Sequence, residues 1–248
     1  METVLNELAK LIENSERIVA FTGAGISTES GIPDFRSPGG LWEKNKPIDF
    51  SEFLSSEEAR RESWRRKFAM DPVLSKAKPN AGHFSLSSLY DTGKLKTVIT
   101  QNIDGLHQIS GISDRDVVEV HGNTTYAKCL DCHDRVTLET VREKFELNEQ
   151  LPECQICGGI IKTATISFGQ AMPIEEMRRA EAAAISADLF LVIGSSLVVY
   201  PAADIPLIAK QNGATLVILN REATPLDNYA DLVLRREIGD TLEAVTKI

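Results

Sequence analysis

The run Ile18-Val19-Ala20-Phe21-Thr22-Gly23-Ala24-Gly25-Ile26-Ser27 decides the fold. A short apolar segment rich in β-branched and aromatic residues stops at a glycine-punctuated turn. That is the pattern of a buried parallel strand delivering its C-terminal end to a ligand. Gly23 and Gly25 would let backbone N–H groups approach a pyrophosphate, with the dipole of a following helix adding to the attraction. The Gly-x-Gly spacing lacks the third glycine of the dinucleotide fingerprint, and many strand–turn–helix junctions read this way without binding anything. The stretch points to a parallel α/β sheet and leaves its ligand open.

Working outward, Lys96–Thr100, Val117–Val120, Asp188–Ile193, Ala214–Leu219 and Asp231–Leu234 read as further strands. Apolar residues at helical spacing mark helices at 2–13 (Val4, Leu5, Leu8, Leu11, Ile12), at 51–69, after Pro79-Asn80-Ala81-Gly82-His83, at Glu175–Ala184 and at Ala202–Gln211. Strands alternating with helices predict an α/β fold with a doubly wound, Rossmann-like parallel sheet. Polar or glycine clusters stand just past the strand ends: Thr22–Gly25, Gln101–Asp104, His121, Gly194–Ser196 and Asn220. Open α/β sheets bind ligands outside the carboxyl ends of their strands, so these five clusters are expected to converge on one site.

Composition narrows the class. The chain has 248 residues, 42% hydrophobic and 25% charged, ordinary values for a globular protein with one large core or a large and a small one. No apolar run reaches the ~18 residues of a membrane span, and no signal-peptide pattern opens the chain, so a cytoplasmic location with no membrane partner is expected. A net charge of −9 argues against non-specific nucleic-acid binding and suits a lysine-rich protein partner. The charged helical stretch at 51–69, with Arg60, Arg61, Arg65 and Arg66, reads as a solvated face with Phe53, Leu54, Trp64 and Phe68 on the apolar side.

All four cysteines fall in two pairs, Cys129-x-x-Cys132 and Cys154-x-x-Cys157, with residues 133–153 between them. Four thiolates fit a closed, tetrahedral structural zinc site, with Gly158-Gly159 giving the second pair a tight backbone. A redox Cys-x-x-Cys motif or two disulfides are the competing readings, though the absence of a secretion signal favours metal. His133, next to Cys132, is surplus to such a site. His121 ends a strand and reads either as a structural histidine or as a base, and Gln101–Asp104 reads as a turn with a helix cap or as a ligand loop.

Four stretches taken together settle those choices. Gly23 to Arg36 (ending Gly31-Ile32-Pro33-Asp34-Phe35-Arg36), Thr100-Gln101-Asn102-Ile103-Asp104-Gly105-Leu106-His107, His121-Gly122 and Gly194-Ser195-Ser196-Leu197-Val198-Val199-Tyr200-Pro201 closely resemble the sirtuins, NAD-dependent protein lysine deacylases. The resemblance runs to about Asp240. It implies NAD and zinc as cofactors, an acyl-lysine protein or peptide as substrate, and free lysine, nicotinamide and O-acyl-ADP-ribose as products. By resemblance, His121 is the base for a ribose hydroxyl, and Asn102 and Asp104 are the other catalytic positions. Asp104 and the Ile103 backbone would bind the nicotinamide carboxamide, while Gln101 and Asn102 would touch its ribose.

The rest of the NAD set implied by the resemblance is Gly23, Ala24, Gly25, Thr28, Asp34, Phe35, Arg36, Gly194, Ser195, Ser196, Asn220, Glu222 and Asp240. Phe35 would shield the reactive ribose carbon, Arg36 would hold the loop and phosphates, and Ser37-Pro38-Gly39-Gly40 would close over the cofactor. Phe168-Gly169 and Leu197-Val198 would flank the substrate peptide as an added strand, with Ile166 over the acyl-lysine. The implied organisation is an NAD-binding domain (1–36, 70–125, 163–248) and a small domain of a helical and a zinc module (37–69, 126–162), in a monomer.

Two departures from the family pattern matter. Gln170 stands where glutamate is usual, which removes a negative charge from the peptide mouth, and Thr163 follows the basic Lys162 where proline is common. The Tyr-x-x-Arg of succinyl- and malonyl-removing relatives reads Glu62-Ser63-Trp64-Arg65, which favours acetyl or longer neutral acyl groups. Mono-ADP-ribosyl transfer and a non-catalytic NAD or ADP-ribose sensor are the rival readings. A base beside the ribose is superfluous in a sensor.

Overall fold

The computed structural model describes residues 2–34, 40 and 46–246, so the expectations for Phe35, Arg36 and Ser37-Pro38-Gly39 fall outside the described residues. Strands β1 (Ile18–Thr22), β2 (Leu95–Thr100), β3 (Val117–Glu119), β7 (Leu189–Ile193), β8 (Thr215–Leu219) and β9 (Leu232–Leu234) form one sheet in the order β3-β2-β1-β7-β8-β9. Every pairing in it is parallel. This is the doubly wound order with its reversal between β1 and β7, the place where such sheets open a crevice for a ligand. The continuous apolar strands expected of a sheet covered on both faces are present, since β1 and β7 are buried at every position.

Helices cover the two faces. Helix α1 (Glu2–Asn14) buries Leu8 and Ile12 in one core, together with Leu86 of α4 (Ala81–Asp91) and Leu242 of α9 (Ile238–Thr246). The opposite core takes Ala180 and Ala184 from α7 (Ile174–Ser186) and Ile205 and Ala209 from α8 (Ile205–Gln211), packed on Phe21, Phe190 and Val192. A short helix, α5 (Leu106–Ile109), follows the loop after β2. No helix among the described residues is long and apolar enough to cross a membrane.

A second sheet lies beyond the first. Strands β4 (Gly122–Cys129), β5 (Arg135–Thr137) and β6 (Ile161–Thr165) pair antiparallel in the order β5-β4-β6, and α6 (Leu138–Asn148) packs beside them. Its core joins Ala127, Cys129, Val141, Phe145, Cys154 and Ile161 to Trp64 of the charged helix α3 (Glu57–Leu74). The single helix expected over 51–69 is two, α2 (Phe50–Ser55) and α3. Ser56 separates them in an extended conformation and caps α3 by accepting from Ala59 N at 3.2 Å. Of the expected apolar side, Phe53 and Trp64 are buried, whereas Leu54 is 42% exposed.

Candidate active site

Strand β1 runs into a 3-10 turn, Ala24–Ser30, in place of the regular α-helix that a phosphate-binding dipole calls for. The amides of Gly23 and Gly25 donate to the carbonyls of Ile193 (3.0 Å) and Gly194 (2.9 Å), so they are engaged by β7 and not aimed at an anion. The glycines serve close approach instead. A Cβ on Gly23 would stand 2.7 Å from Gly194 O, one on Gly25 2.7 Å from Gly194 Cα, and one on Gly194 2.5 Å from Ile26 N. Gly194 also has φ +63°. Three glycines thus bring the β1 and β7 ends backbone to backbone at the sheet reversal.

A cavity of about 850 Å³ opens there, running from the strand ends to the small module. Its wall contains Gly23, Ala24, Gly25, Thr28, Asp34, Gln101, Asn102, Ile103, His121, Gly194, Ser195, Ser196, Asn220 and Glu222 from the expected cofactor set, and Ile166, Phe168 and Gly169 from the expected peptide set. Asp104, Leu197, Val198 and Asp240 are not in that wall. Asp104 accepts from Ser27 Oγ (2.7 Å) and Leu106 N (2.9 Å). Burial raises its carboxyl pKa, and those two bonds oppose the rise. Leu197 is buried with φ +55°, Val198 is 46% exposed beside it, and Asp240 is exposed in the first turn of α9.

The polar groups of the wall hold one another. Asn102 is buried, its backbone N–H donating to Thr100 Oγ1 (3.0 Å) and its side-chain amide to Gly23 O and Ser27 Oγ (3.1 Å each). Gln101 Nε2 donates to Ser195 Oγ at 2.7 Å, tying the β2 loop to the β7 loop. His121 Nδ1 stands 3.1 Å from the carbonyl of Gln101. A carbonyl only accepts, so Nδ1 carries the proton and Nε2 is the basic nitrogen of the neutral ring.

His121 is seated between the two sheets. Its carbonyl accepts from Ile166 N at 2.8 Å, and Gly122 begins β4 paired with Thr165. Gly122 has φ +75°, and a Cβ on it would stand 2.0 Å from Ala164 O. The next turn is pinned by Phe50 N donating to Phe168 O (2.8 Å) and by a reciprocal pair within it. Gln170 N donates to Ser167 O (3.0 Å), and Ser167 N donates to Gln170 Oε1 (3.1 Å). A glutamate carboxylate could accept that last bond equally, so Gln170 keeps the turn and changes only the charge. Thr163 pairs with Ala127 in the β4–β6 ladder, where a proline would lack the donor. Lys162 is buried, donates to Thr165 O at 2.6 Å, and has its ammonium pKa pulled down to about 8 by burial.

Several wall residues escaped the sequence reading: Lys46, Ile48, Phe53, Arg66, Met70, Tyr200, Arg236 and Glu237 among them. Those on α2 and α3 carried only the signal of a charged amphipathic helix. Glu62 and Arg65 also reach the wall. Arg65 is already engaged by Glu149 and Glu58, and Glu62 by Arg66 (2.6 Å) and Arg65 (3.4 Å).

The four cysteine sulfurs lie within 4.8 Å of one another, with Cys129–Cys157 and Cys132–Cys154 at 3.5 Å. Zinc–thiolate bonds of about 2.3 Å in a tetrahedron place sulfurs about 3.8 Å apart, so the cluster fits a closed zinc site. Asp131 N points at Cys129 Sγ (3.4 Å), and a Cβ on Gly159 would stand 2.9 Å from the same sulfur. Neither disulfide is formed.

A doubly wound sheet with a glycine-built crevice at its reversal, and a cavity extending from it to a second small sheet, defines a nucleotide-binding class of α/β protein. Residues 23–201 match the Sir2 family profile. A Rhodopseudomonas palustris protein named NAD-dependent protein deacetylase is 57% identical over 238 residues, covering 96% of this chain and 94% of its own. A solved Sir2 structure with a deacetylated p53 peptide and 3'-O-acetyl ADP ribose superposes with a TM-score of 0.89 at 37% identity, covering 98% of this chain and 97% of the other. Another, Sir2 with a p53 peptide and NAD+, gives 0.86 at 38% identity with the same coverage. This chain belongs to the Sir2 family.

Proposed function

We propose that this chain removes acetyl or other neutral acyl groups from protein lysine, consuming NAD and releasing nicotinamide, O-acyl-ADP-ribose and free lysine. The observation that carries the reading is the neighbourhood of His121: an imidazole held at Nδ1 by the Gln101 carbonyl, which leaves Nε2 to act as the base, in the wall of a cavity that also contains Asn102 and Ile103. NAD supplies the ribose carbon that the acyl oxygen attacks as nicotinamide departs, and the ribose hydroxyl that then captures the acyl group.

The chain's own contribution is placement and proton transfer. Nε2 of His121 takes the proton of the ribose hydroxyl, while the Gln101 carbonyl fixes the ring and stabilises the imidazolium that results. Asn102, Asp104 and the Ile103 backbone form the nicotinamide end, with Asp104 also holding Ser27 and the α5 turn. Gly23–Gly25, Thr28, Gly194, Ser195 and Ser196 line the phosphate region, and Asn220 and Glu222 lie toward the adenosine ribose. Asp34, Phe35, Arg36 and Asp240 keep the cofactor roles that the family resemblance assigns them.

The substrate peptide lies as an added strand between Phe168-Gly169 and Leu197-Val198, main chain to main chain, with Ile166 over the acyl group. Cys129, Cys132, Cys154 and Cys157 hold a zinc ion that folds the small module. A closed four-thiolate site has no open position, so the metal takes no part in the chemistry. We assign residues 37–69 and 126–162 to the small domain and the remainder to the NAD-binding domain, in a cytoplasmic monomer.

Mass spectrometry of an acetyl-lysine peptide incubated with and without NAD tests the reading. A deacetylated peptide together with O-acetyl-ADP-ribose, formed only with NAD, supports it. ADP-ribosylated protein without deacetylation establishes the transferase alternative, and binding without any product establishes the sensor.

A further inference from the structure

Two buried histidines remain outside this mechanism. His83 and His107 are 0% and 1% exposed, and their ring centroids lie 5.0 Å apart at an interplanar angle of 50°. Each ring has one nitrogen in use. The backbone N–H of Asn80 donates to His83 Nδ1 (3.4 Å), closing the capping box of α4. His107 Nε2 lies 2.8 Å from Thr22 Oγ1. The other nitrogens, His83 Nε2 and His107 Nδ1, are buried without a hydrogen-bond partner among the described residues.

The hydrogen-bond inventory decides the tautomers. Accepting at Nδ1 leaves a neutral His83 protonated at Nε2, an orphan donor. Thr100 Oγ1 accepts from Asn102 N, and Thr22 Oγ1 donates to Thr100 Oγ1 at 2.8 Å. With its proton spent there, Thr22 Oγ1 accepts from His107 Nε2–H, which leaves His107 Nδ1 an orphan acceptor. The two orphans belong to rings in contact but do not bond each other. The opposite orientation of the Thr22 and Thr100 hydroxyls would put the His107 proton on Nδ1, a second buried donor without an acceptor, and an unsatisfied buried donor is costly.

We propose that His107, a neutral imidazole packed against the ring of His83, sets the Thr22 and Thr100 hydroxyls beneath Asn102 and is thereby a positioning residue for the nicotinamide end of the site. The hydrogen-bonded chain runs from His107 to Thr22, Thr100 and the backbone amide of Asn102, and His83, held by Asn80 N, packs on its far end. Gly23, next to Thr22, accepts from the Asn102 side chain, while the Asn102 main chain rests on Thr100 of β2, which Thr22 holds. Burial keeps both rings neutral, lowering their pKa to about 4 for His83 and about 3 for His107.

The inference rests on the proposed role of Asn102, and its test separates the two claims. Nitrogen-15 NMR of the wild-type imidazoles reads the tautomers without reference to activity: both rings are expected as neutral Nε2–H forms at pH 7. Nδ1–H on either ring, or a charged ring, overturns the proton assignment. Nicotinamide exchange into NAD, driven by acetyl peptide, then reads the positioning. His107→Leu is expected to lower the exchange rate about ten- to hundredfold with peptide KM little changed, as for a small displacement of a reacting geometry. His107→Gln, whose Nε2 can donate to Thr22 from the same place, is expected to restore most of it. Equal exchange in wild type and His107→Leu, or no recovery in His107→Gln, overturns the positioning role. Should His107→Leu fail to fold, Thr22→Val against Thr22→Ser poses the same question, with exchange expected to fall only where the hydroxyl is lost. A wild type without peptide-dependent exchange refutes the deacylase reading and with it the role of Asn102, while the NMR result still judges the proton assignment.

Discussion

The Nδ1 of His121 and the backbone carbonyl of Gln101 meet at 3.1 Å, and that contact assigns the proton of the ring. In the proposed role as base, His121 acts through Nε2, after nicotinamide has left. His121→Ala is expected to abolish deacylation, with a loss of at least the ~10²–10⁴-fold typical of a removed general base. Nicotinamide exchange depends on the acyl oxygen and the Asn102 loop, so it should persist at a reduced rate while NAD and peptide still bind. Measuring exchange and deacylation side by side checks this. Deacylation near the wild-type rate would show that another group is the base.

Gly122 gives a second, structural prediction. Its positive φ and the 2.0 Å approach of a Cβ to Ala164 O leave no room for alanine. Gly122→Ala should cost about 1–3 kcal/mol from the strained backbone and should also shift His121. Denaturant unfolding with deacylation kinetics would detect both losses. A variant with wild-type stability would mean that β4 and β6 part easily at this end.

Much of the large sheet was legible because its strands are buried on both faces and read as continuous apolar runs. Asp188–Ile193 and Ala214–Leu219 fall within a residue of the observed β7 and β8. The small sheet was not legible. β4 begins at Gly122 and β5 is only three residues long, with neither an apolar run nor clean alternation to mark them. The glycine turn was recognised by position, while the partners of its own amides were not, since they lie on β7, about 170 residues downstream. The wall residues from α2 and α3 were hidden for a related reason. A charged helix looks solvated until the cavity it borders is known.

Zinc makes a third prediction. A structural site supplies folding free energy directly, so Cys129→Ala should lower stability by several kcal/mol, and chelation should loosen the core built on Trp64, Cys129 and Phe145. Metal analysis of freshly purified protein should find one zinc per chain. Metal-free protein with full stability would rule the site out.

The acyl chain is the subject of the fourth. Arg65 is shared among Glu58, Glu62 and Glu149, and no tyrosine accompanies it, so an acidic acyl group meets a cation that is already satisfied. Succinyl-lysine peptide should therefore react far more slowly than acetyl-lysine peptide. Glu62→Gln removes one competing carboxylate and should narrow that gap. Comparable kcat/KM for the two peptides in the wild type would show that the arginine is available despite its partners.

The buried imidazoles make stability depend on pH in a defined window. In the unfolded chain each histidine titrates near ~6.5. In the folded protein burial holds His83 at about 4 and His107 at about 3. Between the two sets of values the unfolded state binds more protons, so stability falls as pH drops below ~6.5 and goes on falling to the folded values. At pH 5 the loss should be about 2 kcal/mol per histidine relative to neutral pH, before any change in carboxylates. Urea unfolding of wild type and of the His83→Gln/His107→Gln double variant, each referred to its own stability at pH 7.5, isolates the effect because the carboxylates are common to both. The wild-type curve should drop more steeply between pH 7 and 5, and the variant should flatten there. Parallel curves would mean that the two rings accept protons in the fold as readily as in water, against the burial that defines their place in the core.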